Sequence, residues 1–194
     1  MFGFFKAIIA AFVAFMISGG VAGAVDMTPA EAVDDFMAGL TSGDKQVLEQ
    51  YIDNDYVNYL VNIEGDEELI ARMDKAIFQN LTYKETDKAE KKGVAVVELK
   101  VKTNDFSKVM DAYEKASYKY VMDNLYEDKV TDKKKLSAKC LDIYVEQIEK
   151  AAEKEPTLEK KIYLPMISDG YGGWKMVLND KIMKALMGDL ALPK

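Results

Sequence analysis

Thirty-three carboxylates, eleven tyrosines and one cysteine are the main groups with which this 194-residue chain could do chemistry, because it contains no histidine. Histidine titrates near neutral pH. Its absence removes the usual general base, the Ser/His and Cys/His couples and nearly every zinc site. Carboxylate chemistry remains, in which an Asp base works beside a Tyr or protonated-acid donor, but no position in the sequence marks itself as that base. No catalytic residue is therefore assigned, and no cofactor or metal is expected. The tyrosines have a second use, since an apolar ring with a polar tip suits the wall of an apolar pocket. Tyr83, Tyr113, Tyr163 and Trp174 are the candidate pocket residues.

Other motifs in the chain carry less chemistry. Ser42-Gly43-Asp44-Lys45 has the Ser-x-x-Lys spacing of penicillin-recognising enzymes, but it lies at a helix junction without the partner motifs, and reads as a turn. Asp53-Asn54-Asp55 begins like a calcium loop, yet Val57 occupies the next ligand position and no glycine follows in register. Cys140 shares a helical face with Leu136, Ile143 and Tyr144, which predicts a small buried hydrophobe in a helix interface rather than a reactive thiol. As the only cysteine it cannot form an internal disulfide. Lys133-Lys134-Lys135, beside Asp128 and Asp132, reads as a solvated helix start. Asn80-Leu81-Thr82 matches a glycosylation sequon that a bacterial host would not be expected to use.

The elements that must position these residues follow from periodicity. Thr28-Pro29-Ala30-Glu31 is a capping box with proline at the first helical position, and Ala32, Val33, Phe36, Met37 and Leu40 follow on one helical face. Ser42-Gly43-Asp44 ends that helix and starts another, carrying Val47, Leu48, Tyr51 and Ile52. After the turn at Asp53 to Asp55, Tyr56 to Ile63 fits strand or helix, and a third helix runs from about Asp66 to Asn80. Strand begins near Leu81, turns at Lys91-Lys92-Gly93, and alternates through Val97, Leu99, Val101 and Thr103. Phe106, Val109, Met110, Tyr113, Tyr120, Val121 and Leu125 then mark a long helix, and Leu136 to Ala151 a second, forming an inserted helical hairpin over about 106–155. Strands over Leu158 to Ser168 and Trp174 to Leu178 flank a glycine-rich loop, and Asp180 is expected to cap a short final helix.

The first 24 residues have the grammar of a secretory signal: Lys6, an apolar run from Ala7 to Ile17 too short to span a bilayer, and small residues ending in Ala22-Gly23-Ala24. Cleavage is expected between Ala24 and Val25, which leaves residues 25–194 as one secreted or extracytoplasmic domain without a membrane span. The net charge of −7 disfavours nucleic acid and anionic lipid headgroups as general partners.

This order of elements resembles the nuclear-transport-factor-2-like superfamily, and in particular bacterial secreted proteins and lipoproteins within it. The resemblance rests on Thr28, Pro29 and Glu31 opening the first helix, the Gly43-Asp44 turn, and Asp169-Gly170 leading to Gly173-Trp174-Lys175-Met176-Val177. It covers most of the chain after the leader, and its motifs serve folding. It implies an α+β fold in which a curved antiparallel sheet packs on N-terminal helices to make a cystatin-like cone with a pocket. The extra Tyr171-Gly172-Gly173 and the long hairpin depart from that pattern, and the hairpin could cover or fill the pocket. The functional expectation is a cell-envelope module that binds a small apolar ligand, a peptide or an envelope protein, with homodimerisation compatible. The alternative is a carboxylate-based isomerase, dehydratase or hydrolase using the same pocket.

Overall fold

The computed structural model describes residues 27–52 and 67–191. The expected leader with its Ala24–Val25 cleavage point, the Asp53 to Asp55 turn and the Tyr56 to Ile63 segment lie outside the described residues.

Among the described residues, three helices precede the sheet: α1 (Pro29–Ser42), α2 (Lys45–Tyr51) and α3 (Glu67–Phe78). The Thr28 hydroxyl accepts the Glu31 N–H, and the Glu31 carboxylate accepts the Thr28 N–H at 2.8 Å, so the capping box forms as read. Gly43 ends α1 at φ 68°, and Asp44 then accepts the Gln46 and Val47 N–H groups to start α2. The stripe Ala32, Val33, Phe36, Met37 and Leu40 is buried throughout.

Strands β1 (Thr82–Lys91), β2 (Val94–Thr103), β3 (Leu158–Ser168) and β4 (Trp174–Met176) form one antiparallel, curved sheet in that spatial order. Ala95, Val97, Leu99, Val101 and Thr103 on β2 and Ile162, Leu164 and Met166 on β3 bury the inner face. The fold class is therefore α+β, with N-terminal helices packed on a curved antiparallel sheet.

Between β2 and β3 stands the helical hairpin: α4 (Val109–Asp123), the single turn α5 (Asp128–Thr131) and α6 (Lys133–Ala152). Helix α6 packs on both α3 and α4. The last helix, α7 (Asp180–Leu186), lies against β2 and β3.

Several details differ from the periodicity reading. Strand β4 stops at Met176 because the next residue faces Pro165: the Val177 N–H still donates to the Pro165 carbonyl, but proline has no N–H to return. The cap of α7 is Asn179, whose Oδ1 accepts the Ile182 N–H at 3.0 Å, and Asp180 is the first helical residue. Helix α4 ends before Leu125, which stands exposed. Cys140 is half-buried, short of the full burial its helical face suggested.

One buried polar group joins three parts of the fold. Asn104, 1% exposed, donates to the carbonyls of Ala151 and Lys154 at the end of α6 and accepts from Asn80 Nδ2 at 2.9 Å. Asn80 also donates to the Ala152 carbonyl, so the sequon asparagine is spent inside the fold. Gly188, at φ 59°, passes so close that an added Cβ would sit 2.1 Å from the Asn104 carbonyl oxygen. Only glycine fits there.

Candidate binding groove

Helix α1 turns its apolar stripe to the core and sets Asp34, Ala38 and Thr41 beside it at i, i+4 and i+7, the spacing of one helical face. Strand β1 begins alongside that face, with Leu81 buried just before it. The two elements leave an open groove of about 610 Å³ lined by Asp34, Met37, Ala38, Thr41, Leu81, Thr82 and Tyr83. Its floor is apolar, from Met37 and Leu81. Its lip is polar, because the Tyr83 hydroxyl donates to Asp34 Oδ1 at 2.7 Å.

Burial, then the hydrogen bond to Asp34 and the nearby carboxylate charges, push the Tyr83 hydroxyl up to about 12. Tyr83 is therefore a fixed donor at any physiological pH. The neighbouring carboxylate makes a parallel contact: Tyr51 on α2 donates to Asp35 Oδ2 at 2.9 Å, and burial followed by that bond raises its ionisation well above the ordinary tyrosine range. Consecutive aspartates thus tie α1 to α2 on one side and to β1 on the other. Thr41 is turned back on its own helix, donating to the Met37 and Ala38 carbonyls at 3.1 Å. Asp34 is the side chain at the lip that lies exposed with a carboxylate to offer.

The four candidate pocket residues lie in four places. Tyr83 lines the groove. Tyr113, near the base of the hairpin, meets Tyr144 edge-on with ring centroids 5.5 Å apart, and burial raises its ionisation. Tyr163 stands on the outer face of the sheet beside Glu98 and Lys161. Trp174 is buried, and its indole N–H donates to the Met27 carbonyl at 2.8 Å. Asp34 was missed by sequence reasoning. Its place on the rim of α1 was legible in the helical period, but its partner lies 49 residues away across an unpredicted helix–strand approach.

A family profile described as a domain of unknown function, DUF5105, matches residues 37–191. The chain belongs to that family. The DUF5105 match begins inside α1, so Met37, Ala38, Thr41 and the β1 wall of the groove fall within it and Asp34 just before it. The chain is also similar to a solved structure of Bacillus subtilis YcdA, described as a candidate lipoprotein, at 18% identity and a TM-score of 0.46, over 96% of this chain and 55% of that one. The chain thus spans about half the length of that protein. No curated protein matches it.

Proposed function

We propose that this DUF5105 chain is a cell-envelope binding module whose ligand sits in the groove between α1 and β1, its apolar body on Met37 and Leu81 and a donor group on Asp34. The observation that carries this reading is the pairing of an apolar floor with one hydrogen-bonded Asp34–Tyr83 lip in an open groove. The envelope location rests on the leader-like residues 1–24, with residues 25–194 taken as one domain. The nuclear-transport-factor-2-like cone is supported by the order of elements, helices before an antiparallel sheet, with the hairpin as an insertion. Among the described residues no helix is long and apolar enough to cross a membrane.

A small amphiphilic ligand fits better than an extended peptide strand. Beyond the irregularity between Glu85 and Asp87, edge strand β1 reads Asp87-Lys88-Ala89-Glu90-Lys91, and a charged, bulged edge opposes the addition of another strand. A carboxylate-based isomerase, dehydratase or hydrolase would call for a desolvated base, whereas Asp34 lies exposed in an open groove.

The test is a thermal-shift screen of small apolar amines and alcohols against the wild type and Ala38→Trp, which plugs the groove from an exposed position. A ligand that binds the folded state raises the melting temperature, and Ala38→Trp should abolish that rise. Loss of binding in Asp34→Asn would place the donor at the lip. An unchanged rise in Ala38→Trp, or no rise with any compound, overturns the groove as the site.

A further inference from the structure

We infer that the distal end of the helical hairpin, residues 115–135, docks on the surface of an anionic phospholipid bilayer. From Met110 to Asp142 no residue is buried, so among the described residues this part of the hairpin has no third layer packed on it. At 3.6 residues per turn, Tyr118 and Met122 fall on the side of α4 opposite Val109, Tyr113 and Tyr120, and Leu125 and Tyr126 follow in the turn after the helix. Tyr118, Met122 and Leu125 are 68%, 50% and 44% exposed, and Tyr126 is 96% exposed. Four large apolar side chains at the distal end of the hairpin thus stand in solvent, outside the core.

Charge chooses the occupant. Six lysines and four carboxylates lie between 115 and 135, a local excess of positive charge on a chain whose net charge is −7. The carboxylates are partly spent: Asp132 accepts the Lys134 and Lys135 N–H groups as the cap of α6, and Glu127 pairs with Lys129 at 3.0 Å. Lys115, Lys119, Lys133, Lys134 and Lys135 make no ion pair among the described residues. Tyrosine rings settle at the headgroup level, lysine stems lie along apolar surface while their ammonium groups reach anionic headgroups, and each such lysine adds to the attraction. The acidic remainder is repelled by the same surface, so the molecule would approach tip first. An acidic protein partner would satisfy the lysines but would leave the exposed apolar patch unexplained.

The experiment is hydrogen–deuterium exchange on the full chain with vesicles of phosphatidylglycerol and phosphatidylcholine in equal parts, compared with phosphatidylcholine alone. The apolar leader can partition into both, so the reading is taken from peptides covering 115–135. Docking predicts slower exchange confined to those peptides with the anionic vesicles, lost in Lys133→Glu/Lys134→Glu/Lys135→Glu and weakened by salt. Tyr118→Ser/Tyr126→Ser tests the apolar part independently and should also lose the protection. Circular dichroism should show both variants folded, since every altered side chain is exposed. No protection at the tip, equal protection with neutral vesicles, or protection that grows with protein concentration without lipid, as a second copy would give, each overturns the proposal.

Discussion

Val97, Leu99 and Val101 on β2, and Tyr118 and Met122 on α4, are both apolar sets at the spacing of their own element. The first set is wholly buried, and the second stands in solvent. The difference lies in what each element has on both sides. Strand β2 is central, held between β1 and β3, with α1 and α7 against it. Helix α4 packs chiefly on α6 among the described residues, and the inner stripe is partly covered while Tyr118 and Met122 are not. Apolar periodicity therefore identifies an element and its faces, while burial depends on a second layer that is set by topology.

The largest loss is expected at Trp174, in the buried region. Its ring fills the end of the sheet core and its N–H ties the first described residue to β4. Trp174→Ala should cost about 3–5 kcal/mol through the cavity it leaves. Urea unfolding followed by circular dichroism measures this, and a loss under 1 kcal/mol would mean that the core there is not closed.

A smaller effect is expected at Asn104, where the body meets the root of the hairpin. Asn104→Ala removes the side-chain donor of the Lys154 carbonyl, leaves the Ala151 carbonyl to backbone N–H groups alone and takes one acceptor from Asn80 Nδ2, so roughly 1–3 kcal/mol should be lost. Exchange of the amides at the end of α6 should quicken with it. If the loss appears without that quickening, the network holds the sheet rather than the hairpin.

Local signals were the legible ones. The capping box at Thr28, the Gly43-Asp44 junction, the Lys92-Gly93 turn and the span of β3 could all be read because each is written within a few residues. The shortening of β4 needed Pro165 on the neighbouring strand, and the groove needed α1 beside β1. Both depend on which elements meet. Asn104 carries no sequence signal at all, because an asparagine after a strand reads equally well as an ordinary loop residue. The exposed patch on α4 was misread in part: Leu125 was placed with the inner stripe, although the helix ends at Asp123.

The groove responds to pH through Tyr83. Tyr83 ionises at about 12 when folded, against an ordinary value of 10.0. The folded state therefore keeps its proton where the unfolded chain releases it. Stability from this group is fully present below pH 10 and is lost as pH rises toward 12. Tyr51 contributes in the same direction. In Asp34→Asn, ultraviolet titration should find one tyrosine ionising at lower pH, because the hydrogen bond and the negative charge that oppose ionisation are reduced. An unchanged titration would mean that Asp34 does not hold Tyr83 in solution.

The smallest effect is expected at the tip. Tyr126 is 96% exposed and Tyr118 68% exposed, so each already keeps most of its surface in water when the chain is folded. Hydrophobic stabilisation scales with the apolar area removed from water, and little is removed here. Tyr118→Ser and Tyr126→Ser should therefore change unfolding free energy by no more than about 0.5 kcal/mol each, apart from a few tenths of helix propensity at position 118. Chemical denaturation with a shared baseline is sensitive enough to distinguish this from the core losses. A destabilisation above 1 kcal/mol at either position would mean that the patch is covered in solution, by a second copy or by residues outside those described. It would then belong to the folded body, and the contrast between the two regions would fail.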